Sequence, residues 1–250
     1  MDAGKIKVRS AIELAQALFS PRSVALVGAS GDEAKNTARP QRYLAKFGFA
    51  GKVFPVNASR PSILGLPAYK KLEDVKAQIE HAFIMVGDVE AAIEDCGKAG
   101  VPVATIFTDG FADSGDGGMA RQQKLAARAQ ELGVRLLGPN SMGMINLSGR
   151  CPITVNAVLE MDIPPAGSTS IVSQSGTMLG TVLSRGSARG LGFSKLVSVG
   201  NESDLGVGDT IIQAHFILGE EIFAAQIFGT LLVIAGVIMI GWKTSAKQKE

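Results

Sequence analysis

The sequence predicts an α/β protein: a parallel sheet with helices on both faces, Rossmann-like and doubly wound. Three observations predict it. Short apolar runs such as "SVALVG" (23–28) and "HAFIMVG" (81–87) alternate with helical patterns. The runs are apolar at consecutive positions, as strands buried on both faces must be. They end in glycine or small polar residues, the punctuation of a strand entering a turn.

The elements follow in order. "SVALVG" is the first strand, and 38–49 reads as a helix leaving through Gly48. Residues 51–59 form a second strand ending in Pro-Val-Asn, and 81–87 a third. A helix over 89–100 stops at glycine, and a fourth strand spans 101–111. "MARQQKLAARAQELG" (119–133) is an amphipathic helix that places Arg121 and Arg128 on its solvated face, and 134–143 is a fifth strand ending in a turn. These elements make a first domain over residues 1–150. The stretch 151–167, with Pro152, Pro164 and Pro165, reads as a link. Alternation then restarts with strand, turn and helix over 168–190 and a strand over 193–201, the beginning of a second α/β unit within 151–210.

A divergent tail occupies 211–250. Residues 222–241 carry no charge over twenty positions, with only Gln226 and Thr230 polar. As a helix this run is roughly 30 Å long, the thickness of a bilayer core, with Trp242 and Lys243 at an interfacial position. It is expected to be a transmembrane helix; a buried core helix is the alternative. Glu220 and Glu221 precede it and Lys243, Lys247 and Lys249 follow, which places the C-terminus in the cytoplasm and the first domain across the membrane. That topology conflicts with a cytoplasmic first domain, and it points to a junction near residue 210 between unrelated coding segments.

Composition excludes other classes. A net charge of +2 and 6% aromatics, with no basic stripe, argue against a nucleic-acid partner. Cys96 and Cys151 make neither a disulfide framework nor a metal cluster, so no metal site is expected and a reducing cytosol fits residues 1–210. The first twenty residues lack the apolar core of a signal peptide.

The loop after the first strand poses the chemical question. Gly28 and Gly31 give G-x-x-G, short of the dinucleotide fingerprint, and the second strand ends in Val56-Asn57 with no acid for a ribose hydroxyl. A nicotinamide cofactor is therefore disfavoured, and no P-loop occurs. What remains is a set of free backbone N–H groups at a helix start, among small residues that let a phosphate approach. On the residues alone, an unliganded strand-to-helix turn stays open. The remaining strand ends, "PVNAS", "MVGD", "TDGF" and "LGPNSMG", are also small and polar.

The segments "PRSVALVGAS", "GKVFPVN", "TDGFADSGDGG", "RLLGPNSMGMIN", "IVSQSGTM" and "LVSVGNESD" stand in the order and spacing of the NDP-forming acyl-CoA synthetases, relatives of the succinyl-CoA synthetase alpha subunit. The resemblance covers about residues 12–210. It implies a coenzyme A-binding first domain followed by the start of a flavodoxin-like second domain. It implies CoA contacts at Gly28, Ala29, Ser30 and Gly31, then Val56 and Asn57, Val86 and Gly87, and Thr108, Asp109 and Gly110. In the family, the turn matching Ser173, Gln174, Ser175 and Gly176 faces the phosphate of a phosphohistidine, and Asn140 matches the domain junction. An ordinary capped helix is the alternative reading of that turn.

The family reaction converts acid, CoA and ATP to acyl-CoA, ADP and phosphate through a histidine that lies beyond "GNESD". This chain leaves the pattern before that point. His81 reads as structural and partly exposed, His215 falls in the divergent tail, and no ATP-grasp module is present. No catalytic residue is therefore assigned, and ATP/ADP and Mg are expected only through an ATP-grasp (beta-type) partner chain. The tail resembles the last helix region of drug/metabolite transporters. The expected protein is the CoA-binding part of such a synthetase, inactive alone. The alternatives are a membrane-tethered CoA-binding regulatory protein and an NAD(P)-binding oxidoreductase.

Overall fold

The computed structural model describes residues 10–214. It opens on a helix the periodicity did not announce, α1 (Ala11–Phe19). Ser10 and Glu13 close a capping box: the Ser10 hydroxyl accepts from the Glu13 N–H at 3.2 Å, and the Glu13 carboxylate accepts from the Ser10 N–H at 2.9 Å. The strand β1 (Ser23–Val27) follows, then α2 (Arg39–Lys46), β2 (Lys52–Val56) and a small hairpin of β3 (Ser62–Ile63) and β4 (Leu66–Pro67). Next come β5 (His81–Ile84), α3 (Val89–Lys98), β6 (Val103–Ile106), α4 (Asp116–Glu131) and β7 (Arg135–Leu137).

The strands pair in parallel in the order β2-β1-β5-β6-β7. Every residue of β1, β5 and β6 is buried, which accounts for their predominantly apolar sequences; the polar exceptions, Ser23, His81 and Thr105, are buried with them. One face packs Ala25, Ala82, Ile84 and Ile106 against Ile93 and Cys96 of α3 and Leu125 of α4. On that side Arg121 and Arg128 are half-exposed, as expected of a solvated helix face, and pair with Glu90 and Glu94 of α3 at 2.6 and 2.5 Å.

The other face is shared. Leu14 and Leu18 of α1 and Leu26, Phe83 and Val103 of the sheet join Met144, Ile153 and Val197, which belong to a second sheet. That sheet contains β8 (Gly143–Asn146), β9 (Cys151–Thr154), β10 (Ala166–Ser173) and β11 (Phe193–Ser198), in the order β10-β11-β8-β9. β10 and β11 are parallel; β8 runs antiparallel to both β11 and β9. The helix α5 (Gly176–Ser187) covers it with Leu179 and Leu183, and α6 (Val207–Ile212) ends the described chain.

Two expectations need correction here. The predicted fifth strand over 134–143 stops at Leu137, and its end is the first residue of β8 in the other sheet. The stretch 151–167 is no mere link. It supplies β9 and a 3₁₀ turn over Ala157–Glu160, whose N-cap Asn156 accepts from the Val158 N–H. Proline misled the reading: Pro152 sits opposite Ile145 in an edge strand, where a missing N–H costs no ladder bond.

His81 is also corrected. It is structural but wholly buried, not partly exposed. Its Nδ1–H donates to the Ala17 carbonyl at 2.9 Å and its Nε2 accepts from the Thr105 hydroxyl at 2.8 Å, so the ring ties α1 to β6. Desolvation lowers its pKa to about 4. Burial likewise pushes both cysteine thiols up to about 12. Among the described residues no group of three or more His, Cys, Asp or Glu could hold a metal, and no helix is long and apolar enough to cross a membrane. His215, the apolar run 222–241 and its transporter resemblance lie outside the described residues.

Candidate functional site

The carboxyl ends of β1, β2, β5 and β6 open along one edge of the parallel sheet, the place where such sheets hold ligands. Gly28 leaves β1 at φ +89°, and a Cβ there would stand 2.7 Å from Val86 Cγ1, so the chain just past β1 and just past β5 approach too closely for a side chain. Asn57 crosses from the end of β2, its Nδ2 donating to the Ala29 carbonyl at 2.9 Å. Its Oδ1 accepts from the N–H groups of Ser59 and Arg60, which shapes the turn after β2. The Thr108 hydroxyl donates to the Val86 carbonyl at 2.7 Å, and the Asn140 N–H donates to the Thr108 carbonyl at 3.0 Å. The predicted residues thus form one connected row from β2 to the turn after β7. Gly87 and Asp109 are exposed on it.

The expected phosphate cradle needs correction in one respect. The Gly28, Ala29 and Ser30 N–H groups donate to Val56, Leu26 and Thr37 carbonyls, and α2 begins only at Arg39. The loop is therefore no helix start with free donors. Of the four residues, Gly31 is the one whose N–H has no partner among the described residues. The Ser30 hydroxyl, which accepts from the Asp32 N–H at 3.0 Å, keeps its own proton for donation.

The second turn behaves as expected of a capped helix. Ser175 is the N-cap of α5, accepting from the Met178 N–H at 3.2 Å, and the Ser173 hydroxyl accepts from the Ser175 N–H at 3.1 Å. Gln174 reaches across to donate to the Glu202 carboxylate. Gly176 packs so tightly on Met142 that a Cβ would overlap that side chain.

Sequence reasoning missed what joins the two turns. The "GNESD" segment is the clasp between the sheets. Gly200, at φ +58°, lies against the Pro139 carbonyl with no room for a Cβ. The Asn201 Nδ2 donates to Asp113 at 2.7 Å and to Gln122 at 3.1 Å, and the Asn140 Nδ2 donates to Asn201 at 3.4 Å. Asp204 takes Arg135 Nε and Nη2 in a fork at 2.8 Å each and also accepts from the Leu136 N–H. Burial pushes the Asp113 carboxyl up, but hydrogen bonds from Asn201, Gly110 and Phe111 outweigh it and hold the group below the usual range. The signal was present in the quoted segments "TDGFADSGDGG" and "GNESD"; nothing local in either says that they meet.

Comparison with known proteins follows this division. Residues 22–146 match the family described as CoA binding domain, and 166–215 match the family described as succinyl-CoA ligase like flavodoxin domain. The chain is 36% identical over 193 residues to an ADP-forming acetate–CoA ligase of Methanocaldococcus jannaschii, covering 76% of this chain and 26% of that protein. It is 32% identical over 193 residues to subunit alpha of the ADP-forming acetate–CoA ligase II of Pyrococcus furiosus, covering 76% and 41%. Its fold superposes on the apo acetyl-coenzyme A synthetase 1 of Candidatus Korarchaeum cryptofilum with a TM-score of 0.73 at 35% identity, over 78% of this chain and 42% of that one. The chain therefore spans about a quarter to two fifths of the length of these relatives. Through the match over residues 22–146, half of its length, the chain belongs to the CoA-binding domain family.

Proposed function

We propose that the row from Gly28 to Thr108 binds coenzyme A, and that the chain is the CoA-binding part of an ADP-forming acyl-CoA synthetase. The carrying observation is the connected edge of small strand-end residues within the segment that matches the CoA-binding family. The residues fit the ligand. Gly87 leaves open space where a chain of atoms can lie, a Cβ at Gly31 would meet only Ile63 Cδ1 at 3.9 Å, and the Gly31 N–H and Ser30 hydroxyl are donors for a phosphate. Gly28, Ala29, Val56, Asn57, Val86, Asp109 and Gly110 shape the edge. Arg60 is added to the candidates. It is exposed in the turn after β2, where a nicotinamide binder carries an acid for the ribose hydroxyls. A cation there suits the ribose phosphate that distinguishes CoA from its dephospho form.

The turn Ser173–Gly176 is proposed as the anion site for a phosphorylated carrier, the positive end of α5 stabilising the charge. That carrier is not His81, whose ring is sealed between Ala17 and Thr105. Nucleotide and Mg are assigned to an ATP-grasp partner, a reading supported by the relative named as a subunit alpha. By this account the chain alone makes no acyl-CoA. The apolar run 222–241 supports a membrane attachment in addition, read from the sequence alone.

Calorimetric titration of the chain with CoA and with 3′-dephospho-CoA tests this reading. CoA is expected to bind more tightly, and Arg60→Glu to remove that preference with a loss of about tenfold or more. Equal affinity of parent and variant for CoA would take Arg60 out of the site, and NADP binding in place of CoA would overturn the function.

A further inference from the structure

The turn after β6 is gripped from outside the CoA row. Gly110, at φ +83°, carries the chain away from the end of the strand. Its N–H donates to Asp113 Oδ2 at 2.9 Å, and its carbonyl accepts from Arg121 Nη1 at 3.3 Å. Arg121 is fixed in turn by Glu90 of α3 at 2.6 Å and lies over the Phe111 ring at 4.2 Å. Asp113 Oδ1 accepts from the Phe111 N–H at 3.1 Å. One carboxylate therefore holds two successive N–H groups of the turn.

The same carboxylate reaches the second sheet. Asp113 Oδ1 also accepts from Asn201 Nδ2 at 2.7 Å, the shortest of its bonds. Asn201 is itself fixed. Its N–H donates to the Pro139 carbonyl at 2.9 Å, its Nδ2 to Gln122 Oε1 at 3.1 Å, and its Oδ1 accepts from Asn140 Nδ2 at 3.4 Å. The Asn140 N–H closes the loop by donating to the Thr108 carbonyl at 3.0 Å, back in the CoA row. Asp113 is exposed, so water is a ready substitute for each of its donors and these bonds add little to stability. What they do fix is where the backbone of the turn stands.

We propose that Asp113 is a positioning residue for coenzyme A: it sets the Asp109-Gly110 turn against the ligand, and Asn201 makes that setting depend on the second α/β unit. This rests on the CoA reading given above. The CoA edge of the first domain is complete only when the clasp is closed. A loosened turn must be ordered as the ligand arrives, and that cost falls on CoA affinity and not on the fold.

The test titrates CoA into the full chain by calorimetry, with thermal unfolding measured alongside. Asp113→Ala is expected to weaken CoA about tenfold and Asn201→Ala about fivefold, with the melting temperature lowered by only about 2–4 °C. The double variant should bind CoA about as well as Asp113→Ala alone, since both changes break one link. Asp204→Ala opens the clasp at Arg135 instead; it should cost stability and leave CoA affinity within about twofold of the parent. Should Asp113→Ala fail to fold, Asp113→Asn, of the same shape with one acceptor oxygen fewer, and Asn201→Ala still decide. CoA affinity unchanged in Asp113→Ala, strictly additive losses in the double variant, or an equal loss in Asp204→Ala would each overturn the proposal. A parent that binds CoA while Asp113→Ala binds it equally well would sink the positioning role alone, whereas a parent that binds no CoA would sink the CoA reading and this role with it.

Discussion

Gly28 shows how much one missing side chain decides. At φ +89°, with Val86 2.7 Å from where a Cβ would be, Gly28→Ala must strain the backbone or push the Met85-Val86 segment after β5 away. A loss of about 1–3 kcal/mol in urea unfolding is expected, and a change below 0.5 kcal/mol would show that the edge is looser than described. His81 gives a pH signature. Its ordinary pKa of 6.5 falls to about 4 in the fold, so the unfolded chain takes up a proton between these values while the folded chain does not. Stability is full above pH 6.5 and drops as the pH falls toward 4, by about 3 kcal/mol at most. His81→Gln should remove that part of the slope; an unchanged slope would mean the ring is hydrated in the fold. The sequence announced His81 as structural but could not place it, because the Ala17 carbonyl that desolvates and orients it belongs to a helix 64 positions away.

At the scale of elements, the parallel strands were legible because burial on both faces leaves an unmistakable apolar run, as in β1 and β5. β8 and β9 were not. They are short and antiparallel, and β9 carries Pro152 at an edge where proline is tolerated. The site divides the same way. Its glycines and strand ends could be read from local sequence, whereas the Asn201–Asp113 and Asp204–Arg135 contacts join segments 88 and 69 positions apart. Asp204 offers a direct check on that clasp. Asp204→Ala removes the fork to Arg135 and the acceptor for the Leu136 N–H, and about 1–2 kcal/mol of stability should go with them, moderated by partial exposure of the pair. A double-mutant cycle with Arg135→Ala should show positive coupling; strict additivity would mean the pair is independent of the junction.

For the molecule as a whole, one apolar cluster runs through α1, the parallel sheet and the second sheet, from Leu14 and Phe83 to Met144 and Val197. A shared core implies shared unfolding, so residues 10–214 are expected to melt in one cooperative transition, with two resolved transitions contradicting the shared packing. The same arrangement sets the row of strand ends and the Ser173–Gly176 turn in a fixed relation, which is what the proposed CoA and anion sites need in order to act together. The central claim is that the row from Gly28 to Thr108 holds CoA. Calorimetry of the parent chain and of Ser30→Glu, which sets a carboxylate beside the Gly31 N–H, tests it most directly. The account predicts a saturable one-to-one CoA isotherm in the parent and at least a hundredfold weaker binding in the variant; equal CoA affinity in the two, or no CoA binding in the parent, would contradict it.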